Sequence, residues 1–338
     1  MSEKVKFEIS TWTVIKVILI VLAFFLFYLV RDVVALFFVV LILAATFMPV
    51  IKNWQKYIGR PLSILALFLI FIGVILSVVY IIVPPLFSQA SQLALNIPVY
   101  IRQTNYDVIK NYLPNIQNAF DNLSNNFGSI TTNIFNITAG VFQAIFAILM
   151  VIILTLYILI EEKQVKQYIS SIFVSNHREE GVEVINKIAL KVGSWFRGQM
   201  LLGLIIFVVI YIGLSILQVP YALILAVIAG LLELIPTVGP IVSAVIAALI
   251  ALTVSPWTAL FVIILFLVVS LLENAFLVPK IMQKAVGISP VVILLALLVG
   301  AKLMGIVGAI LSIPLAASLS VVILEWPTIS KIFAKENA

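Results

Sequence analysis

Cysteine is missing from all 338 residues. Its absence removes disulfide frameworks, thiolate nucleophiles and cysteine-based metal sites. A single histidine, His177, leaves no histidine cluster for zinc or iron. Charge is also scarce: charged side chains make up 10% of the chain, against roughly 25% in an average soluble domain. No Ser-His, His-Glu metal or phosphate-loop constellation stands in the sequence, so the chain does not read as an enzyme, and direct ATP drive would need a partner.

What is present is apolar. Hydrophobic residues fill 64% of the positions and recur from Trp12 almost to the C-terminus. A surface this greasy needs lipid as its solvent. The fold class expected is therefore an all-α polytopic membrane protein. Runs near the roughly 20 residues that cross a bilayer are Trp12–Val30, Val33–Ile51, Leu62–Val83, Ala139–Ile160, Met200–Leu217 and Trp257–Val278. The first is longer than a signal-peptide core and leads through Arg31-Asp32 into another apolar run, so it reads as a retained span.

The net charge of +6 sits in short loops beside these runs, which reads as membrane topology and not as nucleic-acid binding. Lys4, Lys6, Lys52, Lys56, Arg60, Lys163, Lys166, Arg178, Lys187, Lys191, Lys280, Lys284, Lys331 and Lys335 fall on one side if each run crosses once. That side is expected to be the cytoplasm, with both termini there. The expected division is membrane helices over 1–83, an outward amphipathic helical segment over 84–137, a span over 138–160, a cytoplasmic amphipathic linker over 161–196, a transport core over 197–326 and a tail over 327–338. In the outward segment Phe120, Leu123, Phe127, Ile130, Ile134 and Ile137 make one greasy helical stripe, suited to a membrane surface or a subunit contact. Asn176 and Glu179 resemble a capping box ahead of the stripe Val182, Ile185, Ala189, Val192 and Trp195, with Glu183 and Lys187 spaced for an ion pair.

An internal duplication marks the core. PYALILAVIAG at 220–230 matches PVVILLALLVG at 290–300 in four positions at a spacing of 70. VGPIVSAVIAA at 238–248 matches VGAILSIPLAA at 307–317 in six at a spacing of 69. Each copy, 220–254 and 290–324, is a pair of apolar arms around a Gly/Pro break. Fifteen helical residues reach about 22 Å, short of the roughly 30 Å hydrocarbon core. Two re-entrant-like hairpins are therefore expected, inverted relative to each other because one span separates them. Such interrupted segments point to a substrate site where the repeats meet and to alternating access.

Candidate site residues follow from that arrangement. Glu233 precedes the first tip, Glu273 and Asn274 end a span, and Lys302 falls at the second break, near the position matching Glu233. Arg197 and Gln199 open the span before the first hairpin. Charges at membrane depth are costly and often functional. Glu233 and Glu273 are candidates for coupling to protons or sodium, with no other cofactor expected. A structural Glu233–Lys302 pair and interfacial snorkelling of Glu273 and Arg197 are the plainer alternatives. Pro236, Thr237, Gly239, Pro240, Gly305 and Gly308 would shape the tips.

The same residues resemble the autoinducer-2 exporter family of permeases. The likeness rests on Arg197-Gly198-Gln199, Leu234-Ile235-Pro236-Thr237-Val238-Gly239-Pro240, Glu273-Asn274 with Pro279-Lys280-Ile281-Met282, and Gly305-Ile306-Val307-Gly308 with Pro314. The resemblance implies a transporter of small polar solutes or ions in a prokaryotic cytoplasmic membrane, and a homo-oligomer, with a pentamer among the options. Some members of the family are assigned to autoinducer-2 export and others to sodium/proton exchange. The chain departs from the family at Gln218, where glycine is frequent, at Thr237, where an aromatic is, and at Ser289, where histidine is. A secondary carrier is the expected function; a sodium/proton antiporter, a passive oligomeric channel and a membrane scaffold are the alternatives.

Overall fold

The computed structural model describes residues 11–103, 134–173, 177–282 and 289–333. They form α1 (Thr11–Leu29), α2 (Arg31–Ile58), α3 (Arg60–Gln103), α4 (Ile134–Ile160), α5 (Glu162–Ile172), α6 (Arg178–Ile216), α7 (Ala222–Leu232), α8 (Val238–Leu252), α9 (Pro256–Leu272), α10 (Val278–Met282), α11 (Pro290–Leu324) and α12 (Trp326–Phe333). No strand occurs among the described residues. By length and composition five helical stretches among them could cross a bilayer: Arg31–Ile58, Arg60–Ile82, Arg178–Ile216, Pro256–Met282 and Val291–Leu324, the last of them broken at Met304–Gly305. Large side chains such as Leu69, Leu267 and Leu298 stand exposed on these stretches, as lipid-facing residues do. The protein is an all-α, multi-pass membrane protein.

Helix α6 is the central post, with α2, α5, α7, α9, α10 and α11 packed on it. It joins most of the expected linker to the span in one helix of 39 residues, about 58 Å long, so the expected boundary at 196/197 lies inside it. Trp195 and Val192 are buried on its inner stripe, and Glu183 pairs with Lys187 at 3.2 Å on the outer face. Small residues let the post come close to its neighbours. A Cβ at Gly203 would lie 2.6 Å from the Gly230 carbonyl oxygen of α7, and one at Gly193 would lie 2.4 Å from the Ala45 oxygen of α2.

Helix α3 runs on through Pro84 and Pro85, where the sequence suggested a boundary. Two adjacent prolines forfeit their N–H donors within a single turn, and the ladder resumes beyond them. Most of the proposed outward stripe, Phe120 to Ile130, and the capping residue Asn176 lie outside the described residues.

Helix α6 ends in a Schellman turn. Val219 N–H donates to the Leu214 oxygen at 3.0 Å and Gln218 N–H to the Ser215 oxygen at 3.1 Å, while Leu214 and Val219 are both buried. That turn puts Gln218 at φ 54°, a left-handed conformation that disfavours any side chain. Gln218→Gly is therefore expected to stabilise the protein by about 1 kcal/mol, read as a higher melting temperature in detergent.

Where α4 meets α5, Glu162 receives Arg60 Nη2 at 2.5 Å and Lys166 Nζ at 2.6 Å, and Arg60 Nη2 also donates to the Leu159 oxygen at 2.8 Å. This knot fixes the start of α3 against the α4–α5 junction, outside the spans. Burial favours the protonated acid, but the hydrogen bonds and charges of Lys166 and Arg60 outweigh it and hold the Glu162 carboxyl below its ordinary value. With a folded value below the unfolded one, the stabilisation is fully present above about pH 4.5 and is lost as pH falls through the depressed value. Melting temperature is expected to decline below about pH 4 in the wild type, and the Glu162→Gln variant should lose part of that acid limb. An unchanged acid limb in the variant would count against the knot.

Candidate carboxyl pair at the first hairpin

The first hairpin is formed by α7 and α8, of 11 and 15 residues, about 16 and 22 Å long. Both fall short of a bilayer core of roughly 30 Å. Between them Val238 N–H closes on the Pro236 oxygen at 2.8 Å, a tight turn that holds Thr237 at φ 66°, ψ −44°. A β-branched residue is strained there. Gly239 allows the turn because a Cβ on it would meet the Leu232 oxygen at 2.0 Å. Ser243 Oγ donates to the Gly239 oxygen at 2.8 Å. Thr237 itself is exposed, and Pro236 and Pro240 are half-buried.

The second hairpin is α11 folded on itself. Met304 (φ −139°) and Gly305 (φ 61°, ψ −141°) leave helical geometry and split it into arms over 290–303 and 306–324. The fold-back brings Gly300 and Gly308 together: a Cβ on Gly308 would sit 2.0 Å from the Gly300 oxygen, and one on Gly300 2.3 Å from the Gly308 oxygen. The sequence repeat is thus a repeat in space. Gly239 and Gly308, 69 residues apart, both seat the second arm on a carbonyl of the first. Ser243 and Ser312 are both buried and both bond backward along their helix.

At the end of α7, Glu233 is 1% exposed. Gln199 of α6, also buried, donates its side-chain N–H to the Glu233 backbone oxygen and ties the tip to the post. Glu273 is 7% exposed at the start of a five-residue π turn, Glu273–Leu277, between α9 and α10. Its carboxyl group neighbours that of Glu233. Glu233 Oε2 is buried without a hydrogen bond of good geometry. A π turn adds a residue to the helical repeat and re-aims the side chains around it.

The remaining candidates are placed elsewhere. Lys302 is exposed and forms no ion pair with Glu233, so the plainer alternative of a structural Glu233–Lys302 pair is not seen, and the neighbour of Glu233 is Glu273. Equivalence in a repeat puts residues at matching places in separate hairpins, which need not touch. Asn274 is exposed and turns back to the Ser270 oxygen at 2.8 Å. Arg197 is half-buried and donates to the Thr46 oxygen at 2.9 Å and Ser194 Oγ at 3.0 Å, clamping α2 to α6. Gly305 is exposed and Gly308 buried.

The tips belong to separate clusters. Ile235 of the first packs against the cluster of Trp195, Leu202, Met282, Leu297, Ala309 and Ile313. Met304 of the second packs with Ala35 and Ile42 of α2, where Arg31 Nη1 donates to the Leu303 oxygen at 3.4 Å. The first tip therefore shares a cluster with flank residues of the second hairpin and with Trp195 and Leu202 of α6. The signal for the pair was in the sequence: between residues 184 and 324, Glu233 and Glu273 are the only acidic side chains. Nothing in the sequence marks the π turn.

Over residues 17–328 the sequence matches the family profile described as AI-2E family transporter. It is 27% identical to a Bacillus subtilis (strain 168) protein named for transport, YueF, over 82% of this chain and 79% of that one. It is 32% identical to a second such B. subtilis protein, YrrI, over 50% and 48%. A protein of Halobacillus andaensis named sodium-lithium/proton antiporter is 24% identical over 45% of this chain and 44% of its own.

Proposed function

Because this chain belongs to the AI-2E transporter family, we propose that it is a secondary carrier whose Glu233–Glu273 pair binds the coupling proton or sodium ion. The observation that carries this reading is the pair itself: two buried acids are neighbours, and Glu233 Oε2 has no hydrogen-bond partner. Two carboxyl groups removed from water and set side by side need a positive charge between them. A proton or one alkali cation supplies it, and one excludes the other. That mutual exclusion is the elementary step of cation/proton exchange. The antiporter named among the relatives fits the same chemistry, which favours exchange over a passive pore.

In this reading residues 197–326 are the transport core, and α7–α8 is the element that moves. Gln199 and Gly203 of the post guide it, and Pro236, Thr237, Gly239 and Pro240 form its tip. The lysine-rich ends and both termini lie in the cytoplasm. The cargo is a small polar solute or the ion itself, and the carrier works as a homo-oligomer.

The test is flux in proteoliposomes under an imposed proton or sodium gradient, comparing wild type with Glu233→Gln and Glu273→Gln. Gradient-driven flux is expected in the wild type and not in either variant. Undiminished, still pH-coupled flux in both variants would remove the pair from the mechanism.

A further inference from the structure

A cavity of about 550 Å³ lies well away from the carboxyl pair, between α2, the α4–α5 junction and the first half of α6. Its volume is in the range that holds a drug-sized ligand, about 300–1,000 Å³. Its wall is apolar: Ile42, Ala44 and Val192 are buried in it, with Ile158, Ile188 and Ala189 beside them. Its edge includes Leu41 and Leu190, 39% and 58% exposed, so the cavity opens sideways onto the exposed apolar face of α2 and α6.

Three charged groups line it: Lys52, Lys166 and Glu162. Glu162 is already satisfied by Arg60 and Lys166. Lys52 is exposed and makes no ion pair or hydrogen bond among the described residues. A greasy slot with an uncommitted cation at its mouth, at the lysine-rich end of the spans, is complementary to an anionic amphiphile whose tail stays in the bilayer.

We propose that this cavity seats one anionic phospholipid from the adjoining leaflet, its headgroup at Lys52 and an acyl chain along α2 and α6. The lipid would bridge α2 and α6 at the knot that holds the α4–α5 junction, and so tie the carrier's scaffold to the charge of its membrane. Lys52 reads the headgroup phosphate; the Ile42–Val192 wall takes the chain.

The experiment is native mass spectrometry of the full chain in detergent, titrated with phosphatidylglycerol or with phosphatidylcholine. One retained phosphatidylglycerol is expected, at least tenfold preferred over phosphatidylcholine. Lys52→Gln should lower that retention about tenfold, the loss of one charge-assisted contact. Lys163→Gln, on the same side of the protein and not lining the cavity, should leave it unchanged. Ala189→Phe, which fills the cavity, should abolish it with the melting profile retained. Equal retention of the two lipids would overturn the proposal. So would undisturbed retention in Lys52→Gln, a substitution at an exposed side chain that leaves the fold alone.

Discussion

Leucine in place of Gly308 is expected to open the second hairpin and to lower the stability of the folded protein by about 3 kcal/mol or more. Even a single Cβ there would stand 2.0 Å from the Gly300 oxygen and 2.8 Å from Met304 Cβ. The obstacle is backbone, so no side-chain rotation relieves it. The two arms must move apart by more than an ångström, and the contacts around Leu297, Ala309 and Ile313 then lose their fit. Gly308→Ala should show the same effect at about 1–3 kcal/mol. Gly73 supplies the control, since nothing lies within 4 Å of a Cβ built on it, and Gly73→Leu should leave melting nearly unchanged. Thermal melting in detergent reads the stability. The absence of native cysteine allows a probe cysteine at Lys302 to report the opening by its labelling rate. A Gly308→Leu protein that melts with the wild type would mean that the arms do not pack on each other.

Gly308 also shows what the sequence made legible. The register of Gly, Ser and Ala repeated at a spacing of 69 marked two equivalent hairpins, because only small residues permit that approach of backbones. Four of the six expected spans, Val33–Ile51, Leu62–Val83, Met200–Leu217 and Trp257–Val278, were legible for a similar reason: apolar length is a direct demand of the bilayer. Gln218 was legible as a departure from the glycine that the family resemblance implies, and it occupies a left-handed turn. The longer-range arrangement was not legible. Which side chain faces Glu233 depends on the rotation of α9 and on the π turn at Glu273, and a π turn leaves no composition signal. Lys302 was the natural guess from charge alone, yet it lies on an exposed break in the other hairpin. Pro84 and Pro85 stand inside α3, so the expected division at 83/84 falls within one continuous helix.

The carboxyl pair makes the other large prediction, and it concerns non-additivity. If Glu233 and Glu273 hold one cation between them, they act as a single unit. Replacing either by glutamine then removes the site, and replacing both removes little more. Gradient-driven flux should fall at least tenfold in Glu233→Gln and in Glu273→Gln, with the double variant close to either one. Independent roles would instead multiply, so the double variant would fall by the product of the two single effects. Lys302→Gln separates this reading from an ion pair between the repeats. Its side chain is exposed and unpaired with Glu233, so flux and its pH dependence should stay within about twofold of wild type. Glutamine is close to isosteric with glutamate and keeps a polar group in the buried site, so melting temperature monitors the fold in each variant. Flux lost at unchanged melting assigns the loss to the charge between the two carboxyls. Multiplying effects, or a loss with Lys302→Gln equal to that with Glu233→Gln, would place the coupling ion elsewhere in the core.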